Sequence, residues 1–465
     1  MTVEHHPPPV PAADRPDAAP APRAWPPYAL ALGFAVLYGA VSVTRYLRYA
    51  SMSWDLGIFT EVVRSYARFQ VPVADLKGPG FRILGDHFSP VLALLGPVFR
   101  VFPSAVTLLV AQALLVGVSA VPVTRAARRL LGARPGLAIG LAYGASWGLQ
   151  KAVDFDFHEI CFAVPLIAFA LEAVLAERWI PALLWAAPLV TVKEDLGVTV
   201  AAIALVVAVR ARRAGTPTVA AAVGVGLFGA AASALTLLVL IPAVSGGYDY
   251  WSKMGGGGGA GLLDGWSQKV RTVLWVLLPT SGMLALGSPL LLVALPTLGW
   301  RLLSSDPNYW GTDWHYSAVL MPVVALALVD VLARARSTRL WEVLQHMPAA
   351  VLAASVALST TLPFGTLTRA GTWIPDAEAR AAARALATIP DGATVESDVR
   401  PAAHLAQRCT VYWIGDTPGV LPRYLVYFGP DLPGSAMLDY ATRLHPGERY
   451  AVQAEEEGFW VLRRL

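Results

Sequence analysis

Acidic and histidine side chains occur in this sequence where long apolar stretches end. Asp55 stands between Trp54 and Gly57, and the pair Asp86 and His87 closes the same polar segment. A carboxylate held at a water-lipid boundary can take a proton from a hydroxyl group as a general base. We therefore predict that Asp55 is catalytic and that Asp86 and His87 bind substrate. The alternative is structural, with Ser53 or Asp55 as a helix N-cap and the pair Asp86 and His87 satisfying local backbone.

A second cluster contains Asp154, Asp156, His158 and Glu159. Alternate side chains of an extended segment point the same way, so the first three would face one site. Carboxylate and imidazole groups are ligands of divalent cations, with Mg or Mn as the candidates here. We predict that all four bind substrate and that Asp154, Asp156 and His158 are candidate metal ligands. The alternative is a loop that caps or solvates a helix end.

The third cluster is Lys193-Glu194-Asp195, and His315-Tyr316 opens a later apolar run. Lysine binds phosphate as a compact point charge, and Glu194 could orient it. All five residues are predicted to bind substrate. For Lys193, Glu194 and Asp195, a salt-bridged junction between two helices explains the pattern equally well.

Composition identifies the class of protein. The 465 residues are 55% hydrophobic and 15% charged, whereas soluble domains carry about 25% charged residues. The chain is therefore predicted to be an α-helical polytopic membrane protein. Its net charge of +4 is too small to indicate nucleic acid as a partner, and two cysteines provide no disulfide framework.

Apolar runs and basic loops predict the topology, because a spanning helix needs roughly 20 apolar residues and Lys and Arg accumulate in cytoplasmic loops. They indicate about 11 crossings, the first over residues 25–46 and the last over 341–362. The N-terminus would be cytoplasmic and the C-terminus extracytoplasmic, with every acidic cluster on the outer side. The short run 88–102 is predicted to lie along the membrane surface.

Three regions follow from this topology. Residues 1–24, rich in Pro and Ala, are predicted as a disordered cytoplasmic tail. Residues 25–362 form the transmembrane domain, with an outer loop at 47–103 and a glycine-rich linker or lid near 246–259. Residues 363–465 are predicted as a small extracytoplasmic α/β domain with a helix at 375–389, a strand at 393–397, a helix around 404–408 and a hairpin at 450–462.

Several short motifs resemble an uncharacterised family of predicted bacterial multi-pass membrane proteins, which in turn resembles the GT-C glycosyltransferase superfamily. The motifs are Trp54-Asp55-Leu56-Gly57, Gly85-Asp86-His87-Phe88-Ser89-Pro90, Asp156-Phe157-His158-Glu159, Lys193-Glu194-Asp195 and His315-Tyr316. The resemblance implies a protein of the bacterial plasma membrane that takes a sugar from a polyprenyl-phosphate donor on the outer face. It also implies that Asp55 is the catalytic base and that Asp154 and Asp156 help to form the site.

The expected activity is hexosyl or pentosyl transfer from that donor to the hydroxyl of an unknown acceptor, with inversion at the anomeric carbon. Lys193 and His315 would hold the donor phosphate, and Asp154, Asp156 and His158 would shape the sugar site or hold a cation. The alternative function is a transporter or flippase for a lipid-linked precursor. Transporters often show internal repeats and broken helices at mid-membrane, whereas this sequence has no visible repeat and its acids cluster at one face.

Overall fold

The computed structural model describes residues 24–51, 54–245, 264–429 and 433–465. The predicted N-terminal tail and the glycine-rich segment near 246–259 fall almost entirely outside these ranges. The helices are α1 Pro26–Leu47, α2 Asp55–Ala67, α3 Gly96–Val101, α4 Ala105–Leu131, α5 Ala133–Gly144, α6 Trp147–Asp154, α7 Ala163–Leu175, α8 Trp179–Ala186, α9 Leu196–Arg213, α10 Val219–Leu235, α11 Ile241–Val244, α12 Trp266–Ser281, α13 Leu295–Leu303, α14 Leu320–Ala335, α15 Trp341–Leu344, α16 Met347–Ser359, α17 Pro363–Thr366, α18 Ala377–Ala387, α19 Val399–Ala406 and α20 Gly434–Leu444.

Within the described ranges, four helical segments are long and apolar enough to cross a membrane. They are Pro26–Leu47, Ala105–Leu131, Val219–Val244 and His315–Ala335. The predicted count of about 11 crossings is therefore not confirmed. One predicted crossing, 135–150, divides into α5 and α6 between Gly144 and Trp147. Twelve helical residues cover about 18 Å, which is less than the roughly 30 Å of a hydrocarbon core.

Paired charges connect the helices of the bundle at positions away from the predicted site. Arg125 of α4 donates two hydrogen bonds to Glu172 of α7, at 2.6 and 2.5 Å. Asp330 of α14 accepts a hydrogen bond from Ser288 at 2.6 Å and lies 3.0 Å from Arg210 of α9. An acid buried between helices needs such partners, because an unpaired buried charge is strongly unfavourable.

The polar segment after α1 folds into short helices. Helix α2 is followed by 3-10 turns at Asp75–Lys77 and Ile83–Gly85, and then by the continuous helical stretch Pro90–Leu95 and α3. This 12-residue stretch is too short to cross a bilayer and packs against α2. Its length and packing agree with the prediction that residues 88–102 do not span the membrane.

The C-terminal residues form a mixed five-stranded sheet in the order β2-β1-β3-β5-β4. The strands are β1 Thr394–Ser397, β2 Thr410–Trp413, β3 Tyr424–Phe428, β4 Tyr450–Glu456 and β5 Phe459–Arg464. Strand β1 is parallel to β2 and β3, and β5 is antiparallel to β3 and β4. The predicted helix, first strand and hairpin are present as α18, β1 and β4-β5, whereas β2, β3 and α20 were not predicted.

The C-terminal domain and the segment after α1 share one hydrophobic core. Buried side chains of α2, including Phe59 and Val63, belong to the same cluster as Leu405 of α19 and Val411 of β2. The ring of His404 is sandwiched between two tyrosines of the N-terminal part, with ring centroids 3.9 and 3.8 Å away. The C-terminal domain therefore packs directly on the helix that begins with the predicted catalytic acid.

Two polar side chains of α2 contribute hydrogen bonds to that interface. The carboxyl group of Glu61 accepts from the backbone N–H of Leu76 at 3.1 Å and of Val411 at 3.3 Å. One turn later, Arg64 donates to the carbonyl oxygens of Ala406 and Cys409. These bonds fix the rotation of α2 about its axis and, with it, the direction in which Asp55 points.

Candidate active site

Asp55 is the first residue of α2, and the N-cap position is occupied by Trp54. The N-cap role that was the structural alternative for Asp55 is therefore not what the fold assigns to it. Asp55 and Phe59 are four residues apart on one helical face. Both face His158: the Asp55 Oδ2 atom lies 4.0 Å from its Nε2, and the Phe59 ring meets the imidazole edge-on at 5.1 Å.

His158 is held on three sides. Its Nδ1 lies 2.5 Å from Oε2 of Glu159, and its backbone N–H donates to Gln112 of α4 at 3.0 Å. The imidazole stacks on that of His315, with ring centroids 3.5 Å apart and planes inclined by 20°. These contacts hold Nε2 toward Asp55.

Glu159 is the centre of the polar cluster. Its side chain is fully buried and accepts a hydrogen bond from Nζ of Lys193 at 3.1 Å. Nδ1 of His87 lies 3.8 Å from the same carboxylate. Burial alone would raise the pKa of Glu159, but the positive charges on His158 and Lys193 hold it well below its usual range. This carboxylate thereby joins three segments that are distant in sequence.

The segment around Asp86 supplies another side of the cluster. Asp86 is buried and accepts a hydrogen bond from Lys77, and its Oδ2 lies 3.4 Å from Nε2 of His87. The backbone N–H of Phe88 donates to Glu194 at 3.3 Å. Sequence reasoning missed Lys77. Charged residues are common in a polar loop, so a lysine there does not stand out as it would in an apolar run.

These residues surround a cavity of about 330 Å³ with a mixed lining. Its polar side chains are Asp86, His87, His158, Lys193, Glu194, Asp195, Tyr309, His315 and Tyr316. Val198, Leu237, Pro296 and Trp300 also line it. Val198 is 46% exposed, so part of the apolar lining lies at the surface of the helical bundle. Such a cavity suits a ligand with a charged head and a hydrocarbon tail.

A buried arginine, Arg301, contacts the segment that contributes Tyr309 and Tyr316 to the cavity. Arg301 is 1% exposed and donates to the carbonyl oxygens of Tyr309 at 3.0 Å and Gly311 at 2.7 Å. It also donates to the hydroxyl of Ser317 at 3.2 Å and lies 5.5 Å from the Tyr316 ring. Sequence reasoning missed Arg301, although an arginine within an apolar run is a signal of a functional or paired charge.

The structure does not bring the predicted metal triad together. Asp154 ends α6 and pairs with Arg45 of α1. Asp156 has a left-handed backbone, with φ of 63°, so the segment is not extended and its alternate side chains do not align. Among the described residues, no group of three His, Cys, Asp or Glu side chains is placed to hold a metal ion. Neither aspartate lines the cavity.

Of the remaining predicted residues, the structure brings Asp86, His87, His158, Lys193, Glu194, Asp195, His315 and Tyr316 to one cavity. Glu159 lies behind them, and Asp55 reaches the cluster through His158. Burial, together with the neighbouring charge of Glu194, raises the pKa of Asp195 to about 6. The site thus combines Asp55, whose carboxylate lies 4.0 Å from the imidazole of His158, with Lys193, whose ammonium group contacts the carboxylates of Glu159 and Glu194.

Comparisons with known proteins place the chain among membrane proteins. A family model described as "Predicted membrane protein (DUF2079)" matches residues 45–418. No curated protein matches the chain. The fold is similar to the crystal structure of ArnT from Cupriavidus metallidurans bound to undecaprenyl phosphate, with a TM-score of 0.59 and 11% identity over 94% of this chain and 97% of that one. For ArnT from the same organism in the apo state, the TM-score is 0.53 and the identity 13%, over 93% and 98% of the two chains.

Proposed function

Because the chain belongs to the DUF2079 family of predicted membrane proteins and its fold resembles that of the GT-C glycosyltransferases, we propose that it is a membrane glycosyltransferase. It takes a sugar from a polyprenyl-phosphate donor and transfers it to a hydroxyl group of an acceptor. The proposed reaction occurs at the outer face of the membrane, with the N-terminus in the cytoplasm and the C-terminal domain outside.

The observation that carries this proposal is the mixed lining of the cavity. It includes Lys193, which can pair with a phosphate, and the apolar side chains of Leu237 and Val198, the second of which is exposed at the bundle surface. A polyprenyl phosphate likewise combines a charged head with a hydrocarbon chain. The similar ArnT structure is described as bound to undecaprenyl phosphate, which supports a lipid-linked donor here.

In the proposed reaction, the acceptor oxygen forms a bond to the anomeric carbon while the bond from that carbon to the phosphate oxygen breaks. Asp55 takes the proton of the acceptor hydroxyl, and the polyprenyl phosphate leaves with the electron pair. One displacement of this kind inverts the anomeric configuration. Lys193 and His315 stabilise the charge on the departing phosphate.

His158 and Glu159 have a positioning role in this scheme. The 4.0 Å separation between Asp55 and His158 places an imidazole beside the proposed base, and Glu159 fixes the orientation of that imidazole. Asp86, His87 and Glu194 hold the wall of the cavity through their contacts with Lys77, Glu159 and the Phe88 backbone. Asp154, by pairing with Arg45, holds α6 against α1.

The test is Asp55→Asn in the full-length protein reconstituted in nanodiscs. Membranes that contain an acceptor are added, and release of sugar from radiolabelled polyprenyl-phosphate donors is measured. We expect the variant to lose transfer by at least about a hundredfold, in the range typical for loss of a general base, while undecaprenyl phosphate still binds. The matched control is Asp391→Asn, whose side chain is 81% exposed and pairs only at the surface with Arg408.

Unchanged transfer by Asp55→Asn would refute the proposed role of this residue. A flippase would give a different result: wild type and Asp55→Asn would both move labelled lipid across a proteoliposome membrane, and neither would release sugar from it.

A further inference from the structure

Ring nitrogens of His87 and His315, which line the cavity, have no hydrogen-bond partner among the described residues. Two further buried polar atoms at the cavity, Oδ1 of Asp195 and Nε1 of Trp300, also have none. A buried polar atom without a partner is unfavourable, so native proteins rarely keep one unless water, an ion or a ligand satisfies it. Of the Asp195 and Trp300 atoms, the first can only accept a hydrogen bond and the second can only donate one.

Both residues line the same part of the cavity. Asp195 and Trp300 line the main cavity and also a second, small space. Lys193, His315 and Tyr316 line both spaces as well. Asp195 and Trp300 therefore lie beside the groups that would hold the donor phosphate, and the sugar attached to that phosphate would lie near them.

The surrounding charge restricts what can occupy this position. Lys193 lies within 3.4 Å of carboxylate oxygens of both Glu159 and Glu194, and Asp195 adds a third acid beside it. A ligand that brings a phosphate already adds one negative charge to this cluster. A second negative charge on the sugar would face Asp195 and Glu194 at short range and be repelled.

We propose that Asp195 and Trp300 form the sugar-recognition subsite of the cavity, and that it takes a sugar with free hydroxyl groups and no carboxylate. A sugar hydroxyl donates to Oδ1 of Asp195, and the indole N–H of Trp300 donates to an oxygen of the same sugar. The inference rests on the proposed function, since the ligand is taken to be a lipid-linked sugar.

Binding of three synthetic lipids to the full-length protein in nanodiscs tests this subsite. The lipids are undecaprenyl phosphate, its glucosyl derivative and its glucuronosyl derivative; the two sugars differ only by a hydroxymethyl group against a carboxylate. For the wild type, we expect the glucosyl lipid to bind at least about tenfold more tightly than the glucuronosyl lipid, as for one charge-assisted hydrogen bond.

Asp195→Asn should reduce that ratio to within about threefold without weakening the binding of undecaprenyl phosphate. Trp300→Phe should weaken both sugar-bearing lipids by about threefold to tenfold, the range for one neutral hydrogen bond, and leave undecaprenyl phosphate unchanged. The controls are Asp391→Asn and Trp266→Phe, which change the same residue types at exposed positions.

The two hypotheses fail in different ways. If the wild type binds the glucuronosyl lipid as tightly as the glucosyl lipid, or if the preference persists in Asp195→Asn, the subsite is wrong while the lipid-binding function stands. If undecaprenyl phosphate itself does not bind to the wild type, the proposed function is overturned.

Discussion

Replacing Glu61 by glutamine should remove a pH-dependent contribution to stability at the interface between α2 and the C-terminal domain. Glu61 is 1% exposed and accepts the backbone N–H groups of Leu76 and Val411. Burial raises the pKa of Glu61 to about 8. The two hydrogen bonds and the positive charge of Arg64 lower this pKa, and the negative charge of Asp75 raises it slightly, but burial is the largest effect. Glu61 therefore keeps its proton in the folded protein at neutral pH.

Whether Glu61 stabilises the protein more at low or at high pH depends on which state, folded or unfolded, binds the proton. The folded state holds a proton that the unfolded chain, with a pKa near 4.5, has already released. The stabilising contribution is complete below pH 4.5 and is lost as the pH rises to 8, at up to about 1.4 kcal/mol per pH unit. Between pH 6 and pH 8 the loss is about 2 kcal/mol by the same relation. Glutamine has the same shape but no proton to lose, so its stability should lack this decline.

The measurement is the apparent unfolding temperature of wild type and Glu61→Gln in the same nanodiscs from pH 5.5 to 8.5. Glutamine cannot accept the second N–H, which costs about 1 kcal/mol at every pH. We therefore expect the variant to be less stable than the wild type at pH 5.5, and the difference to narrow or reverse by pH 8.5. Contributions from the other titrating groups cancel in the comparison. Parallel curves for the two proteins would refute the assignment of a buried, protonated Glu61.

Two further substitutions test the walls of the cavity. A Cβ atom on Gly85 would lie 2.6 Å from Cα and N of Ser245, so Gly85→Ala should displace the Asp86 and His87 segment and lower both the unfolding temperature and undecaprenyl phosphate binding. Gly33→Ala, which meets nothing within 4 Å, is the control; equal behaviour of the two variants would contradict the prediction. Arg301→Lys should lower stability by about 2–4 kcal/mol, because buried carbonyl groups lose their donors. If the unfolding temperature of this variant stayed within about a degree of the wild type, Arg301 would not be needed to hold Tyr309 and Tyr316 in place.

The clusters were predictable because charged residues stand out in an apolar sequence. Asp86, Lys193 and His315 were recognisable for this reason, and the structure brings them to one cavity. Which acid meets which base could not be read from the sequence. Asp154 pairs with Arg45, 109 positions earlier, and only the packing of α6 on α1 decides this. The predicted metal triad assumed an extended segment, whereas the backbone of Asp156 is left-handed.

Element prediction depended on composition as well as length. The Ala-rich helix α18 was recognised, whereas α20, which also has eleven residues, was missed. Strands β2 and β3, with four and five residues, were missed, but β1 was predicted with four. The predicted number of crossings came from counting apolar runs, and the four long apolar helices of the described residues do not confirm it. Hydropathy does not register where glycine and serine end a helix, as they do between α5 and α6.

The shared core between α2 and the C-terminal domain has a consequence for how the protein is made. Arg64 bonds to Cys409, which follows it by 345 residues, so the segment after α1 is synthesised long before its packing partners exist. Apolar residues such as Phe59 must wait for the last part of the chain, and contacts of such high sequence separation form late. Nascent chains truncated before residue 377 should therefore stay protease-sensitive around α2, and the protein should become resistant there only once residues 377–465 have left the ribosome.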